Sequence, residues 1–410
     1  MRSNYKKLGQ FIKEVSVKNK DLSVELLLGV SITKQFIPSI ANTVGTDMSK
    51  YKVVEHHQFA YGPVTSRNGE KISVALLSEE KCIVSTSYTV FEIVDTELLD
   101  PEYLMMWFRR SEFDRYARYM SHGTVRELFG WQEMCDVELP VPSIEKQREI
   151  VREYNVVNDR IALNEQLTQK LEDTAQALYK QWFVDFEFPI SKEYAESIGK
   201  PELEGKPYKS SGGEMEFCSL LDMEKPIGFK TDHIESYVKL TQGQVINAKT
   251  NYLIESSGIP LLRIQDLKSH EEHIFINPSV AASKIADMED IIVSRTGNVG
   301  LTFRHRRGVV HNNCFKVRSI NEQLTSDFLF WFLKSKNVER QMRNLASGSV
   351  QADLSHQKFH TLPILLPTIK SQEQLSAFLN TIETKAENYL KLSSQLSQLK
   401  DLILRKMSKA

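Results

Sequence analysis

The chain has 410 residues, 41% hydrophobic and 26% charged, with 52 Lys and Arg against 53 Asp and Glu for a formal net charge of −1. That balance leaves room for two globular domains, is ordinary for a soluble protein, and argues against a uniformly basic nucleic-acid coat. Four well-separated cysteines, Cys82, Cys135, Cys218 and Cys314, exclude a paired-cysteine zinc or redox motif, and no apolar run is long enough to cross a bilayer. No signal-peptide core follows Met1-Arg2-Ser3-Asn4-Tyr5-Lys6-Lys7, so the expectation is a cytoplasmic protein with no membrane partner.

Residues 1–100 read as mixed α/β, with apolar stretches at 8–17 and 22–32. Strands are expected at 53–61, 72–77 and 82–94, where β-branched and aromatic residues cluster, and turns at Gly62-Pro63 and Asn68-Gly69, the latter the stronger hairpin signal. Asp100-Pro101 opens a helix, Asp as N-cap and Pro at its first position. It carries Leu104, Trp107 and Phe108 inward and Arg109, Arg110 and Arg115 outward, and a loop holding Gly123 follows at 121–128. After Pro140 and Pro142, Ser143 caps a long helix whose apolar residues, Ile150, Tyr154, Val157, Ile161, Leu167, Leu171, Ala175, Leu178 and Trp182, fall mostly three or four apart. Forty residues at 1.5 Å each make a rod of roughly 60 Å. Residues 204–215 are a polar linker rich in Gly, Ser and Pro. A second domain begins near Phe217, with strands expected at 237–240, 259–264, 291–294, 301–303 and 309–317 and turns at Gly243, Gly258, Gly297 and Gly300.

The stretch beginning at Tyr103 and running along the long helix recurs without a gap 225 residues later. Gly123-Thr124-Val125 answers to Gly348-Ser349-Val350, Pro142 to Pro367 and Gln147 to Gln372, while the seam residues Tyr154, Val157, Leu171 and Leu178 answer to Leu379, Ile382, Leu396 and Ile403. Two unrelated amphipathic helices drift out of phase over such a length, so this is an internal duplication. Each half is an α/β domain followed by a rod.

Catalytic signatures are missing: there is no Walker loop and no Rossmann fingerprint after a strand. Gly297-Asn298-Val299-Gly300 reads as a tight strand-to-strand turn, Asp100-Pro101-Glu102-Tyr103 as a helix cap, and His56-His57, without a Cys or carboxylate at ligand spacing, as a polar strand edge. From Arg295 to Arg343 there are ten Lys or Arg against three acids. Within that region Arg304, Arg306 and Arg307, around His305, suit phosphate contact or bidentate reading of guanine, with a solvated loop as the rival.

The chain resembles the specificity subunits of type I restriction-modification enzymes. The resemblance rests on Leu139-Pro140-Val141-Pro142 with Glu145-Lys146-Gln147-Arg148-Glu149-Ile150-Val151, on Leu178-Tyr179-Lys180-Gln181-Trp182-Phe183-Val184-Asp185-Phe186, and on Lys206-Pro207-Tyr208-Lys209-Ser210-Ser211-Gly212-Gly213-Glu214. In the second half the family's phrases are Gly258-Ile259-Pro260-Leu261-Leu262-Arg263-Ile264, Asp290-Ile291-Ile292-Val293-Ser294-Arg295-Thr296-Gly297 and Gly348-Ser349-Val350-Gln351. Thr124-Val125-Arg126 replaces the usual Ser-x-Gln in the first half, and the glycine-turn phrase of 290–300 has no recognisable copy there.

The resemblance implies a mixed α/β fold with an internal pseudo-two-fold repeat. Residues 1–142 are the first target recognition domain, 143–186 a central spacer helix, 187–216 a linker, 217–367 the second target recognition domain and 368–410 a second spacer helix packed antiparallel to the first, as a coiled coil. It further implies a non-catalytic reader of double-stranded DNA that recognises a bipartite, asymmetric target and has no cofactor or metal of its own. Two modification (methyltransferase) subunits and ATP-dependent restriction subunits are the expected partners. The DNA-binding candidates are Arg67, Asn68 and Lys71 around the first domain's hairpin, and Arg295, Asn298, Arg304, Arg306 and Arg307 in the second. The rival classes are a nuclease or methyltransferase with diverged motifs, which activity of the isolated chain would reveal, and a coiled-coil scaffold, which would bind no duplex at low salt.

Overall fold

A computed structural model describes residues 4–39, 45–66, 69, 71–122, 127–269, 272–346 and 352–409. The α-helices are α1 Pro101–Phe108, α2 Ser111–Met120, α3 Trp131–Cys135, α4 Ile144–Phe183, α5 Lys192–Ser197, α6 Ile264–Ser269, α7 Ser326–Lys334, α8 Lys336–Leu345, α9 His356–His360 and α10 Ile369–Lys406. The chain divides into two compact units, residues 1–166 with 389–410, and residues 167–388. Each unit holds one part of each long helix: α4 begins in the first unit and ends in the second, and α10 does the reverse.

The first unit is built on an antiparallel four-stranded sheet in the order Ile12–Val15, Thr89–Ile93, Phe59–Tyr61, Val74–Leu76. Phe59 and Phe91 stack across neighbouring strands at 4.8 Å and receive the edge of Phe108 from α1. As the sequence requires, Asp100 caps α1, its Oδ1 accepting from Tyr103 N at 3.0 Å, and Leu104, Trp107 and Phe108 are buried. Arg109 is exposed, its guanidinium over the Tyr154 ring. Arg110, expected outward, is instead only 6% exposed and stacks 4.2 Å from the Trp107 ring. It lies at the tight junction of α1 and α2, where the chain turns too sharply for helical phase to continue. Val151, Tyr154 and Val157 of α4 share this core with Ile403, Leu404 and Met407.

The second unit repeats the sheet in the same order, Val238–Gln242, Cys314–Ser319, Ile291–Ser294, Thr302–Phe303, again antiparallel throughout. Even the short outer pairs correspond, Tyr5–Lys7 with Glu138–Pro140 and Lys230–His233 with Pro363–Leu366. The first residues of α1 and α7, α2 and α8, α3 and α9, and α4 and α10 all stand 225 apart. Ala175, Tyr179, Trp182 and Phe183 of α4 share the core with Leu375 and Leu379 of α10. The segment expected as a bare linker, 187–216, is folded into this unit: Phe188 stacks on Tyr208 at 4.7 Å and on Phe229 at 5.3 Å, and Ile190 and Ala195 are buried with them.

One hydrogen-bond clamp is duplicated atom for atom. Gln147 Oε1 accepts from Asp100 N at 2.9 Å, and its Nε2 donates to Leu98 O and Pro142 O at 3.0 and 2.9 Å. Gln372 Oε1 accepts from Thr325 N at 3.0 Å, and its Nε2 donates to Gln323 O and Pro367 O, both at 2.9 Å. All four pairs of residues are 225 apart, and both glutamines are 0% exposed. The clamp fixes the start of the long helix against the N-terminus of the helix that follows the sheet.

Candidate nucleic-acid interface

In both units the connection between the third and fourth sheet strands leads to the candidate residues. In the second unit, Ile291–Ser294 ends in a turn that needs left-handed backbone at Gly297 (φ +72) and Gly300 (φ +89). A Cβ on Gly300 would also lie 3.2 Å from Glu339 of α8, so glycine lets the turn pack against that helix. Ser294 closes the turn, its hydroxyl donating to Asn298 O and accepting from Leu301 N at 2.9 Å. Asn298 is thereby presented, exposed, at the tip.

Arg295 does not face outward as a reader. Its Nε and Nη2 hold Asp353 in a bidentate pair at 2.8 and 2.6 Å, and its Nη1 donates to Gln242 Oε1 at 2.8 Å. With the Thr296–Asp353 bridge and the bond from Leu354 N to Arg295 O, this fastens the turn to the segment beginning at residue 352. The expectation for Arg304 fails more clearly. It is 8% exposed: Nη1 donates to Asp327 at 2.6 Å, Nε to Glu383 at 2.9 Å and Nη2 to Asn380 at 2.7 Å, while the guanidinium lies 4.0 Å from the Phe330 ring. An arginine so enclosed by acids and an aromatic face is a strut between the sheet, α7 and α10, and has no surface to offer DNA. Arg306 is half-buried, with Nη1 donating to His305 O at 3.3 Å. Burial lowers its pKa from the ordinary arginine value, against the opposing pull of Glu387 and Glu383. Arg307 is exposed.

Around the turn opens a cavity of about 490 Å³, walled in part by Lys268 of α6, Asn298, Leu301, Ala352, and Glu339 and Arg343 of α8. Arg343 pairs with Glu339 within the helix, yet its side chain remains 60% exposed. This concave, cationic corner is suited to an anionic, hydrogen-bonding ligand such as a nucleic-acid backbone.

In the first unit the corresponding connection is fastened by a similar backbone bridge. Its connection, 62–73, is bridged at Val64–Leu128, and Leu128 stands 225 residues before Asp353. Phe129 N donates to Pro63 O at 2.8 Å and Thr65 N to Glu127 O at 3.0 Å. Arg67 and Asn68 lie outside the described residues, as do Gly123-Thr124-Val125-Arg126 and Gly348-Ser349-Val350-Gln351. Lys71 is exposed. Beside it, Lys34 Nζ meets Asp114 of α2 at 2.6 Å, and the same carboxylate oxygen accepts from Ile72 N at 3.2 Å. Burial lowers the Lys34 pKa, with the Asp114 carboxylate opposing the shift. The ion pair thus fixes the root of this connection to α2. Sequence reasoning did not single out Lys268, which lines the cavity of the second unit, and it named Arg343 only as the end of the basic stretch 295–343.

Residues 226–398 match the family model described as the type I restriction modification DNA specificity domain. The specificity subunit of the type I restriction enzyme HindI from Haemophilus influenzae is 23% identical over 403 residues, covering 86% of each chain. That of MjaIX from Methanocaldococcus jannaschii is 26% identical over 221 residues, covering 52% of this chain and 46% of that one. Among solved structures, the S subunit of a type I restriction-modification system from M. genitalium shares the fold, with a TM-score of 0.55 at 12% identity over 98% of this chain and 95% of that chain.

Proposed function

We propose that this chain, a homologue of type I specificity subunits along 86% of its length, is the DNA-recognition subunit of a type I restriction-modification complex. The observation that carries this reading is the duplicated reader: two units with the same sheet order, the same glutamine clamp and the same helix-flanked connection between third and fourth strands. Two similar but non-identical surfaces on one chain suit a target split into two dissimilar halves, each unit reading its own half. Phosphate contacts supply affinity without sequence information, and base edges and DNA shape supply the choice. Methylation and cleavage belong to partner subunits in the cytoplasm, and the chain itself is non-catalytic. The two-fold character of the repeat favours two modification subunits docking equivalently.

Replacing residues 1–142 by the first recognition domain of another specificity subunit should change one half of the methylated target and leave the other. Methylome sequencing of cells carrying the chimaera reads this directly. Alteration of both halves would separate the repeat from the bipartite target.

A further inference from the structure

α2 and α8 occupy the same place in the repeat and have diverged at eight of ten positions, Ser-Glu-Phe-Asp-Arg-Tyr-Ala-Arg-Tyr-Met against Lys-Asn-Val-Glu-Arg-Gln-Met-Arg-Asn-Leu. Even their buried residues differ: Phe113 and Ala117 in one, Val338 and Met342 in the other. The two identities are both arginines, Arg115 with Arg340 and Arg118 with Arg343. Packing does not account for them, because all four are exposed. A common local ion pair does not either. Arg118 pairs with Glu127, beyond its helix, whereas Arg343 pairs with Glu339 within its own. At a spacing of three residues each pair lies on one helix face, with about 5–6 Å between Cβ atoms. In the second unit that face reaches the cavity beside the Asn298 turn through Arg343; in the first, α2 is tied through Asp114 to the root of the equivalent connection.

We infer that α2 and α8 are matched phosphate-gripping helices, Arg115 with Arg118 and Arg340 with Arg343 each holding the sugar-phosphate backbone of one half-site while the neighbouring loop is presented to the base edges. The inference rests on the DNA-recognition reading and specifies which side chains supply its sequence-independent part. Two different half-sites share nothing but their backbone, so a backbone contact is what two diverging readers retain in common.

The test is fluorescence anisotropy of the full-length chain on duplexes of unrelated sequence, titrated with salt. Each phosphate contact contributes roughly −0.9 to the slope of log affinity against log salt. Arg340→Ala with Arg343→Ala should therefore flatten the slope by about 1 to 2 units, equally on every duplex, and Arg115→Ala with Arg118→Ala should do the same. The paired Lys substitutions should restore most of the slope, because lysine serves a phosphate as a point charge but not a bidentate base contact. A control of equal charge change, Lys200→Ala with Lys209→Ala, should leave the slope alone. Ala pairs that match this control overturn the inference while leaving DNA recognition standing, as does a loss confined to particular sequences or not rescued by lysine. A parent chain that binds no duplex at low salt overturns the recognition reading itself.

Discussion

Arg304→Ala should destabilise the second unit by about 3 to 5 kcal/mol, the cost of removing one partner from a buried charge cluster. Glu383, its side chain 10% exposed, would be left as a carboxylate without its cation, and Asn380 would lose a donor. The Phe330 face would also lose its stacked guanidinium. Asp327, 46% exposed, can turn to water and adds little. Urea denaturation of the full chain measures this. Arg307→Ala is the internal comparison, an exposed neighbour expected to stay within about 0.5 kcal/mol of the parent. Pairing Arg304→Met with Glu383→Met should recover a good part of the loss, because no charge then stays buried alone. If Arg304→Ala melts like the parent but binds DNA more weakly, its place as an internal strut is wrong.

The second large effect concerns the duplicated glutamine clamp. Gln147→Ala or Gln372→Ala strands one backbone N–H and two carbonyls inside the protein, at about 1 to 3 kcal/mol for each group left unsatisfied. A loss of about 2 to 4 kcal/mol is expected in either unit, since water entering the vacated space relieves part of it. Glutamate in place of either glutamine supplies a pH signature. Its Oε1 can still accept from the helix N-terminus, but the other oxygen, when ionised, faces two carbonyls. Its carboxyl pKa in the folded state is then raised above the unfolded value. Stability is therefore retained at low pH and lost as pH rises through the folded pKa. Melting both Glu variants between pH 4 and about pH 8 would show the trend; a flat profile would mean that the clamp carbonyls find other donors.

The rods are legible because helical periodicity over 40 residues is hard to produce by chance, and the gap-free register from Tyr103 puts α1 to α4 onto α7 to α10 from the sequence alone. The duplicated sheet is not. Its third strands begin 232 residues apart and its fourth strands 228, so insertions in the connections break the constant register even though strand order is kept. The site was legible where the signal was local. Asn298 sits on a turn announced by its two glycines. Arg304 was misplaced because a run of three arginines looks like a surface loop, while the residues that draw it inward, Asp327, Asn380 and Glu383, come 23 to 79 positions later. Folding sees such partners; a window along the sequence does not. The 187–216 segment misled for a related reason, because its few aromatic residues, spaced among Gly, Ser and Lys, carry no periodicity yet meet in one stack.

The first unit's core includes Ile403, Leu404 and Met407, and Tyr5 donates its hydroxyl to Ser408 O at 3.2 Å. On the ribosome these residues emerge only after the whole of the second unit has been made. At about 5–20 residues per second, the interval between the end of α4 and Ile403 lasts roughly 10 to 40 s. For that time the core that holds Tyr154 and Val157 lacks these residues of its own chain. The order of synthesis thus runs against the order of the repeat: the half encoded first is completed last. A nascent chain held at the end of α4 is the form in which a chaperone, or the same segment of a neighbouring polypeptide, would find that seam open.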